Sequence, residues 1–320
     1  MNRPFEHVNK TLLGWLPPDM QDRLGMLRRY SLRGGRGHGT PIVARVDGTT
    51  FHGGLTDRWK GLVSLYALAK VLGRDFRIYY TYPFDLEEYQ VPNLYDWRLR
   101  PGELSTSLCH TRMLRLAGDP TLSRVQHLPA DKQIHAYANR DWLPLINEQY
   151  GTSFRWGELF RELFVPSDRL RAALDVWHKH LLHPYMAVAF RTQNLLGDYV
   201  EYAYPPAGRE KQADIIARCL DYLQRLHQLS GLPLLVTSDS RRLSEATADL
   251  PFVTATTGVA AHVDTVADAP QEQYMKSFVD FYLLAEAQSV FCAGTEEMYP
   301  SDFPKYAAML YNHPFQRVLL

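Results

Sequence analysis

The 320-residue chain is poor in cysteine, with only Cys109, Cys219 and Cys292. Their odd number and wide spacing argue against a disulfide framework and favour a reducing compartment. Net charge is also missing: Lys+Arg and Asp+Glu both total 35, so the basic excess of a dedicated nucleic-acid binder is absent. No apolar run approaches the ~20 residues that a membrane-spanning helix requires. The opening MNRPFEHVNKTLLGWLPPDMQ lacks the apolar core of a signal peptide. These absences lead to the expectation of a cytoplasmic protein with no nucleic-acid partner and at most peripheral membrane contact. Familiar catalytic signatures are missing too. There is no GxxxxGK[ST] loop, no GxGxxG after a strand, no HExxH, no GxSxG and no Asp-x-Asp pair. An anionic ligand would therefore have to be met by side chains and helix ends rather than by a metal on paired aspartates.

What is present suits a globular chain, 46% hydrophobic and 22% charged, of a length that suggests two domains of ~150 residues. The charge is unevenly placed. Residues 1–100 carry 15 Lys/Arg against 10 Asp/Glu, and residues 251–320 carry 3 against 8. Two complementary halves would explain this, as would a positive N-terminal face that meets an anionic ligand. RGGRGHG (33–39) reads as a loop, because four of its seven residues are glycine.

PIVARVDGTT (41–50) reads as a buried strand ended by Asp47-Gly48. A glycine-bearing turn through Phe51, His52, Gly53 and Gly54 follows. The helix after it is expected to be capped by Thr56 or Asp57 and to stop at Gly73. RDFRIYYTYP (74–83) is a second strand, so the segment forms a βαβ unit with a parallel pair. Between residues 93 and 165, SLCHTRMLRLAG, DWLPLINEQYG and RWGELFRELF read as helices. From residue 166 a second alternation begins. It has a helix capped by Ser167 or Asp168, strands at 184–192 and 232–240, a long helix ending at Gly231 and a short strand PFVTATT. The helix QEQYMKSFVDFYLLAEAQ, the strand SVFCAG and a last helix FPKYAAMLYNHPF close the chain. The fold class is α/β: two doubly wound, Rossmann-like domains facing a cleft. Residues 1–165 form the N-terminal domain and 166–320 the C-terminal domain, with the last helix free to pack back on the first.

In such sheets ligands sit beyond the carboxyl ends of the strands, which selects the candidate residues. Arg191 ends a strand; it is either an anion clamp or one half of a surface ion pair. Asp239 either caps the next helix, in competition with Ser238 and Ser240, or bonds a ribose or base. Asp280 lies in an otherwise apolar stretch, as an exposed helix residue or as a ligand group. Thr295 follows Gly294, where a hydroxyl and backbone N–H groups suit a phosphate. His178, His180 and His183 do not converge on a helix and read as packing or solvated side chains.

These segments together resemble a family. GGLTDRWKGLVSLYALAKVLGRDFRI (53–78) is similar to the opening of GT-B fucosyltransferases. MAVAFRTQNLLGDYV (186–200) is similar to their first donor motif, LLVTSDS (234–240) to the second and VDFYLLAEAQSVFCAGTEE (279–297) to the third. The order and spacing agree over about two-thirds of the chain. The likeness is greatest to the α1,6-type, rhizobial nodulation fucosyltransferases. It implies an inverting, metal-independent transfer of a sugar, fucose from GDP-fucose first among donors, to a glycan acceptor, with no cofactor. By this resemblance Arg191 holds the donor diphosphate, and Asp239, Asp280 and Thr295 match donor-binding positions; Arg58, Asp198, Ser238 and Glu296 join them as donor-side candidates by their place in the chain. Asp47, His52, Gly53 and Gly54 belong to the acceptor-side loop, and Asp57 ranks first as general base. The chain departs from the pattern in four places. Ala189 stands where the family has His, Thr192 where many members have a second Arg, Thr56 in place of a loop Gly, and Glu296 in place of a Ser. Three extra residues separate Arg191 from Gly197-Asp198. A non-catalytic glycan- or nucleotide-binding member of the same fold, or an enzyme with another nucleotide-sugar donor, are the alternatives.

Overall fold

A computed structural model describes residues 29–49, 52–116, 122–199, 205–258, 263 and 270–320. The N-terminal stretch read for a signal peptide, Phe51 of the glycine-bearing turn and Val200 at the end of the first motif lie outside the described residues. The chain divides into two compact units. Within the described residues, the first takes the chain up to His52, then Asp57–Tyr80 and Asp96–Phe154. The second takes Gly53–Thr56, Thr81–Tyr95 and Arg155–Leu320.

The first unit holds a four-stranded sheet. Strand β1 (Ile42–Val46) leads through helix α1 (Leu55–Val71) to β2 (Phe76–Tyr80), its parallel neighbour, as the βαβ reading expects. Residues Ile42 to Ala44 are fully buried because a central parallel strand is covered on both faces, which explains its unbroken apolar run. Helix α1 begins at Leu55, so Thr56 and Asp57 lie inside its first turn instead of capping it. Gly61 lets it approach the sheet closely: a Cβ there would fall 1.9 Å from the Ala138 carbonyl oxygen. The helix stops at Gly73, whose φ is +62°. The Gly73 N–H bonds Lys70 O and the Arg74 N–H bonds Ala69 O, a paired closure that satisfies the last carbonyls.

The SLCHTRMLRLAG segment corrects the helix reading. It contains strand β4 (Thr111–Leu116), which pairs in parallel with β5 (Gln133–Ala138). Alternate burial at Leu114 and Leu116 is met by strand pairing, which overrides the local helical spacing. The sheet order is β2-β1-β5-β4. Strand β5 is central although its sequence, QIHAYA, is broken by Gln133 and His135, both buried. DWLPLINEQYG does form a helix, α2 (Leu143–Tyr150), closed by Gly151 at φ +62°.

The second unit begins with the excursion Thr81–Tyr95. Its strand β3 (Gln90–Pro92) pairs antiparallel with β6 (Phe164–Pro166), which follows helix α3 (Trp156–Leu163). That pairing carries residues 81–95 into the second unit, and the division falls at 154/155, earlier than the expected 165/166. Helix α4 (Asp168–His178) is capped by Ser167, whose hydroxyl accepts from the Leu170 N–H. Strand β7 (Met186–Phe190), helix α5 (Arg209–Ser230), strand β8 (Leu234–Ser238), helix α6 (Arg241–Ala246) and strand β9 (Val253–Ala255) follow. Helix α7 (Gln271–Glu286), strand β10 (Ser289–Gly294), helix α8 (Phe303–Tyr311) and strand β11 (Phe315–Leu319) complete the unit. The last strand adds an edge to the sheet that the sequence reading, which stopped at the last helix, does not foresee. Helix α8 packs inside this unit: a Cβ on Gly157 of α3 would fall 2.0 Å from the Met309 carbonyl oxygen.

The second sheet is wholly parallel, in the order β11-β10-β7-β8-β9. From β7 the chain winds outward through β8 and β9, then returns to β10 on the other side of β7. The winding direction therefore reverses between β7 and β10. The first sheet reverses in the same way between β1 and β5. At such a switch point the flanking loops diverge and leave room for a ligand at the carboxyl edge. The residues following β1, β7 and β10 include the candidates Asp47, Arg191 and Thr295.

Candidate functional site

At the carboxyl edge of the second sheet the loop after β7 is held by one carboxylate. Asp239 Oδ1 accepts the Thr192 N–H and the Thr192 hydroxyl, both at 2.8 Å, and Oδ2 accepts the Gln193 N–H at 2.8 Å. Arg191 Nη1 lies 3.0 Å from the same Oδ2. The Asp239 side chain is 4% exposed and that of Arg191 21%. Gln193 adopts a left-handed φ of +51°, a conformation that side chains resist and that this fastening maintains. Asp239 is thus a tie between β8 and the β7 loop; the cap of α6 is Ser240, which accepts from the Leu243 N–H at 3.1 Å. Ser238 supports that turn by accepting the Ser240 N–H at 3.0 Å.

Arg191 also lies over the Tyr199 ring, 4.7 Å from its centroid. Its carbonyl accepts the Tyr299 N–H, which links the loops following β7 and β10. Asp198 is engaged through Oδ2 with the Ser240 hydroxyl at 2.9 Å and the Arg242 N–H at 2.8 Å. Thr295, buried after β10, donates to Glu297 at 2.8 Å, and Glu297 meets Lys211 at 2.5 Å. The bond from Lys211 first, and that from Thr295 second, push the Glu297 carboxyl down to about 2. Glu296 turns to the surface and lies 3.6 Å from Arg218. Ala189 is buried within β7, opposite Thr237.

A cavity of about 420 Å³ opens among α4, the turn after β9 and the stretch of α7 up to Asp280. Asp280 lines it and is buried at 6% exposure, which settles the choice between an exposed and an enclosed carboxylate. Its Oδ2 receives Lys276 Nζ at 2.6 Å, and Lys276 also donates to Thr256 at 3.0 Å. Asp280 Oδ1 accepts no hydrogen bond among the described residues. Lys276 is a residue that the sequence reading missed. Its signal was a Lys four places before an Asp on an apolar helix, a spacing that puts both on one face.

The first unit gathers a second polar group around the end of β1. Asp47 takes Arg45 Nη2 at 2.7 Å and Nε at 3.0 Å, and Arg29 lies 3.5 Å away. Burial pushes the Asp47 carboxyl up, but Arg45, the Thr49 hydroxyl and Arg29 outweigh it and hold the group below its ordinary range. Arg45 also bonds the Tyr30 hydroxyl at 2.7 Å, and that hydroxyl meets His135 Nδ1 at 2.6 Å. Burial first, and Arg45 second, push His135 down to about 3. His52 is pushed down to about 4, by burial and then by the Arg58 guanidinium. Its Nε2 accepts the Gly48 N–H at 3.1 Å, so the imidazole is neutral near pH 7. Arg58 is itself buried, donating to Tyr80 at 2.9 Å. Asp57, in the first turn of α1 with a side chain 43% exposed and 3.3 Å from Lys60, is far more accessible than Asp47. Gly53 takes a left-handed φ of +76° that suits glycine. Sequence reasoning missed Tyr30, Arg45 and His135, because their convergence depends on β5 lying beside β1.

The histidines of the WHKHLLH segment stay apart from these groups. His178 bonds Glu286 at 2.8 Å, and among the described residues no cluster of His, Cys, Asp or Glu could hold a metal ion. Nor is any described helix long and apolar enough to cross a membrane.

No protein-family model and no curated protein matches the sequence. Solved structures do match the fold. FUT1 of Arabidopsis thaliana, in complex with GDP, is 12% identical over 96% of this chain and 76% of its own, with a TM-score of 0.59. The α-1,6-fucosyltransferase NodZ soaked with GDP-fucose is 13% identical over 85% of this chain and 92% of its own, with a TM-score of 0.53. Fucosyltransferase NodZ from Bradyrhizobium is 14% identical over 85% and 94%, again with a TM-score of 0.53. The two parallel α/β units of this chain thus reproduce the fold of these fucosyltransferases, the GT-B architecture expected from its sequence motifs.

Proposed function

We propose that the protein is an inverting, metal-independent glycosyltransferase that moves a sugar from a nucleoside diphosphate, GDP-fucose first among donors, to a glycan acceptor. The observation that carries this reading is the buried Asp280 carboxylate. One of its oxygens is left without a hydrogen bond, and the residue lines a cavity beside the carboxyl edge of a doubly wound sheet. Leaving a buried acceptor unmade costs about 1–3 kcal/mol, a cost that a ligand's N–H group would recover. A cavity of about 420 Å³ is of the size that small-molecule sites use.

In this reading the second unit holds the donor. As the bond to the sugar breaks, charge grows on the departing diphosphate, and a fixed guanidinium there favours the transition state over the ground state. Arg191 takes that role. Asp239, Thr192 and Gln193 act as its positioning set, since they fix the loop from which it extends. Thr192 replaces a second cation with a lock. Ser238 and Asp198 support the adjoining α6 turn. On the acceptor side, Asp57 is the general base. Asp47 is occupied by Arg45 and Thr49, and His52 spends its ring lone pair on Gly48, whereas Asp57 remains accessible. No cofactor enters the reaction.

A second reading, a non-catalytic nucleotide- or glycan-binding protein on this fold, is favoured by Glu297. Its ionised carboxylate stands beside Thr295, whose strand-end position suits a phosphate-binding hydroxyl. Turnover separates the two. With GDP-fucose and a glycan panel, Arg191→Ala should lower transfer by about 10²–10³-fold while the melting curve stays cooperative, and Asp57→Asn should lower it without weakening GDP binding. Binding of GDP with no release of GDP from GDP-fucose would favour the second reading. A protein that binds no nucleoside diphosphate would sink the first.

A further inference from the structure

The same cavity carries a feature that neither the fold nor the motifs assign. Lys276 is buried, with a side chain only 5% exposed, and it stands on the cavity wall next to Asp280, whose side chain is 8% exposed. An enclosed ion pair seldom stabilises a fold more than apolar side chains of the same volume. Its placement at a cavity wall, with one carboxylate oxygen left without a partner, therefore points to a ligand. The ammonium has three N–H bonds, and its contacts among the described residues are Thr256 and Asp280. Trp177 and Val279 supply apolar wall on the same cavity, the setting in which a planar ring sits between a few fixed polar groups.

Side by side, Lys276 and the open oxygen of Asp280 form a cationic donor next to an anionic acceptor. The complement is a carbonyl oxygen next to a ring N–H, the edge shared by guanine, hypoxanthine and uracil. Adenine and cytosine present an amino group next to a ring nitrogen lone pair instead. Charge-assisted bonds gain most where the partner is most polar. A lactam N–H is far more acidic than an exocyclic amine, and its carbonyl oxygen is the negative end of a strong dipole.

We propose that Lys276 and Asp280 together read the base of the bound nucleotide and select bases with a C(=O)–NH edge. The inference rests on the reading of the second unit as the nucleotide-binding one, and it names Lys276 as a specificity-determining residue. Once in place, the base makes Asp280 Oδ1 an acceptor for the ring N–H, while Lys276 keeps Thr256 and turns a donor to the carbonyl.

The test is isothermal titration of the full chain with GDP, IDP, UDP, ADP and CDP, before and after Lys276→Met and Lys276→Gln. Every variant is first checked for a cooperative melt. GDP, IDP and UDP should bind at least ~10-fold more tightly than ADP and CDP, the scale at which unpaired buried polar groups reject a ligand. Either substitution should bring the five Kd values within about threefold of one another, because the diphosphate contacts that remain are common to all five. Equal binding of the five by the unaltered protein, a preference for ADP or CDP, or discrimination that survives both substitutions would each overturn the base-reading pair alone. Failure of all five to bind would overturn it together with the nucleotide reading itself. If neither variant folds, the ranking of the five by the unaltered protein decides the matter.

Discussion

Asp239→Ala probes the tie on which the donor-side loop depends. The carboxylate receives two backbone N–H groups, a hydroxyl and a guanidinium, all within 3.0 Å. Thr192 and Gln193 are 0% and 4% exposed, so water does not readily replace the lost acceptor. Each buried donor left without a partner costs about 1–3 kcal/mol. The left-handed turn at Gln193 loses its fastening and exerts its own strain of roughly 1–2 kcal/mol. Local relaxation recovers part of this, and the expected net loss is about 3–5 kcal/mol, the range found when one partner of a buried pair is removed. At about 2–4 °C per kcal/mol for a unit of this size, the melting temperature should fall by roughly 6–20 °C. Asp239→Asn keeps one acceptor oxygen and should lose about half as much. Differential scanning calorimetry measures the shift, and hydrogen exchange reports on the two amides directly. A melting temperature lowered by less than about 2 °C in Asp239→Ala, with the Thr192 and Gln193 amides still protected, would refute the tie.

Two further predictions concern the first unit. Unfolded His52 binds a proton near its ordinary value of 6.5, whereas the folded residue resists it down to about 4. The unfolded state therefore binds more protons in this window, and stability is intact above pH 6.5 and falls as the pH drops toward 4. The loss amounts to roughly 3 kcal/mol from His52, and His135 adds to it in the same direction. Denaturant midpoints between pH 7 and 4.5 should show this slope, and His52→Gln should flatten it; an unchanged slope would contradict the burial argument. Gly61→Ala forces a Cβ within 1.9 Å of the Ala138 carbonyl oxygen and should cost about 1–3 kcal/mol or more. Gly73→Ala meets open space but carries the positive φ, at a cost of about 1–2 kcal/mol. A greater loss of melting temperature in Gly73→Ala than in Gly61→Ala would count against the close packing of α1 on the sheet.

Legibility in the sequence followed burial chemistry. Strands β1, β7 and β8 are apolar runs followed by polar turns, and helices α4 and α5 carry Ser167 and Gly231 at their ends, so local signals agreed with the fold. Strand β5 was hidden because Gln133 and His135 replace apolar core residues. Gln133 accepts the Ser105 N–H and donates to the His38 and Glu103 carbonyls, while His135 meets Tyr30, all partners distant in sequence. The site showed the same split. The positions of Arg191, Asp239 and Thr295 at strand ends, and of Asp280 on the helix that leads into β10, could be read from the alternation of elements. That Asp239 serves Thr192, 47 residues away, could not, because no local pattern encodes a pairing made by two neighbouring parallel strands.

The excursion at residues 81–95 limits how this protein can be rebuilt. The chain changes unit at 52/53, 56/57, 80/81, 95/96 and 154/155, so neither half is a contiguous cassette. A chimaera that grafts the C-terminal portion onto another scaffold would discard β3 and leave β6 without its antiparallel mate. An exchange that preserves this pairing has to carry the intervening peptide along with its distant partner.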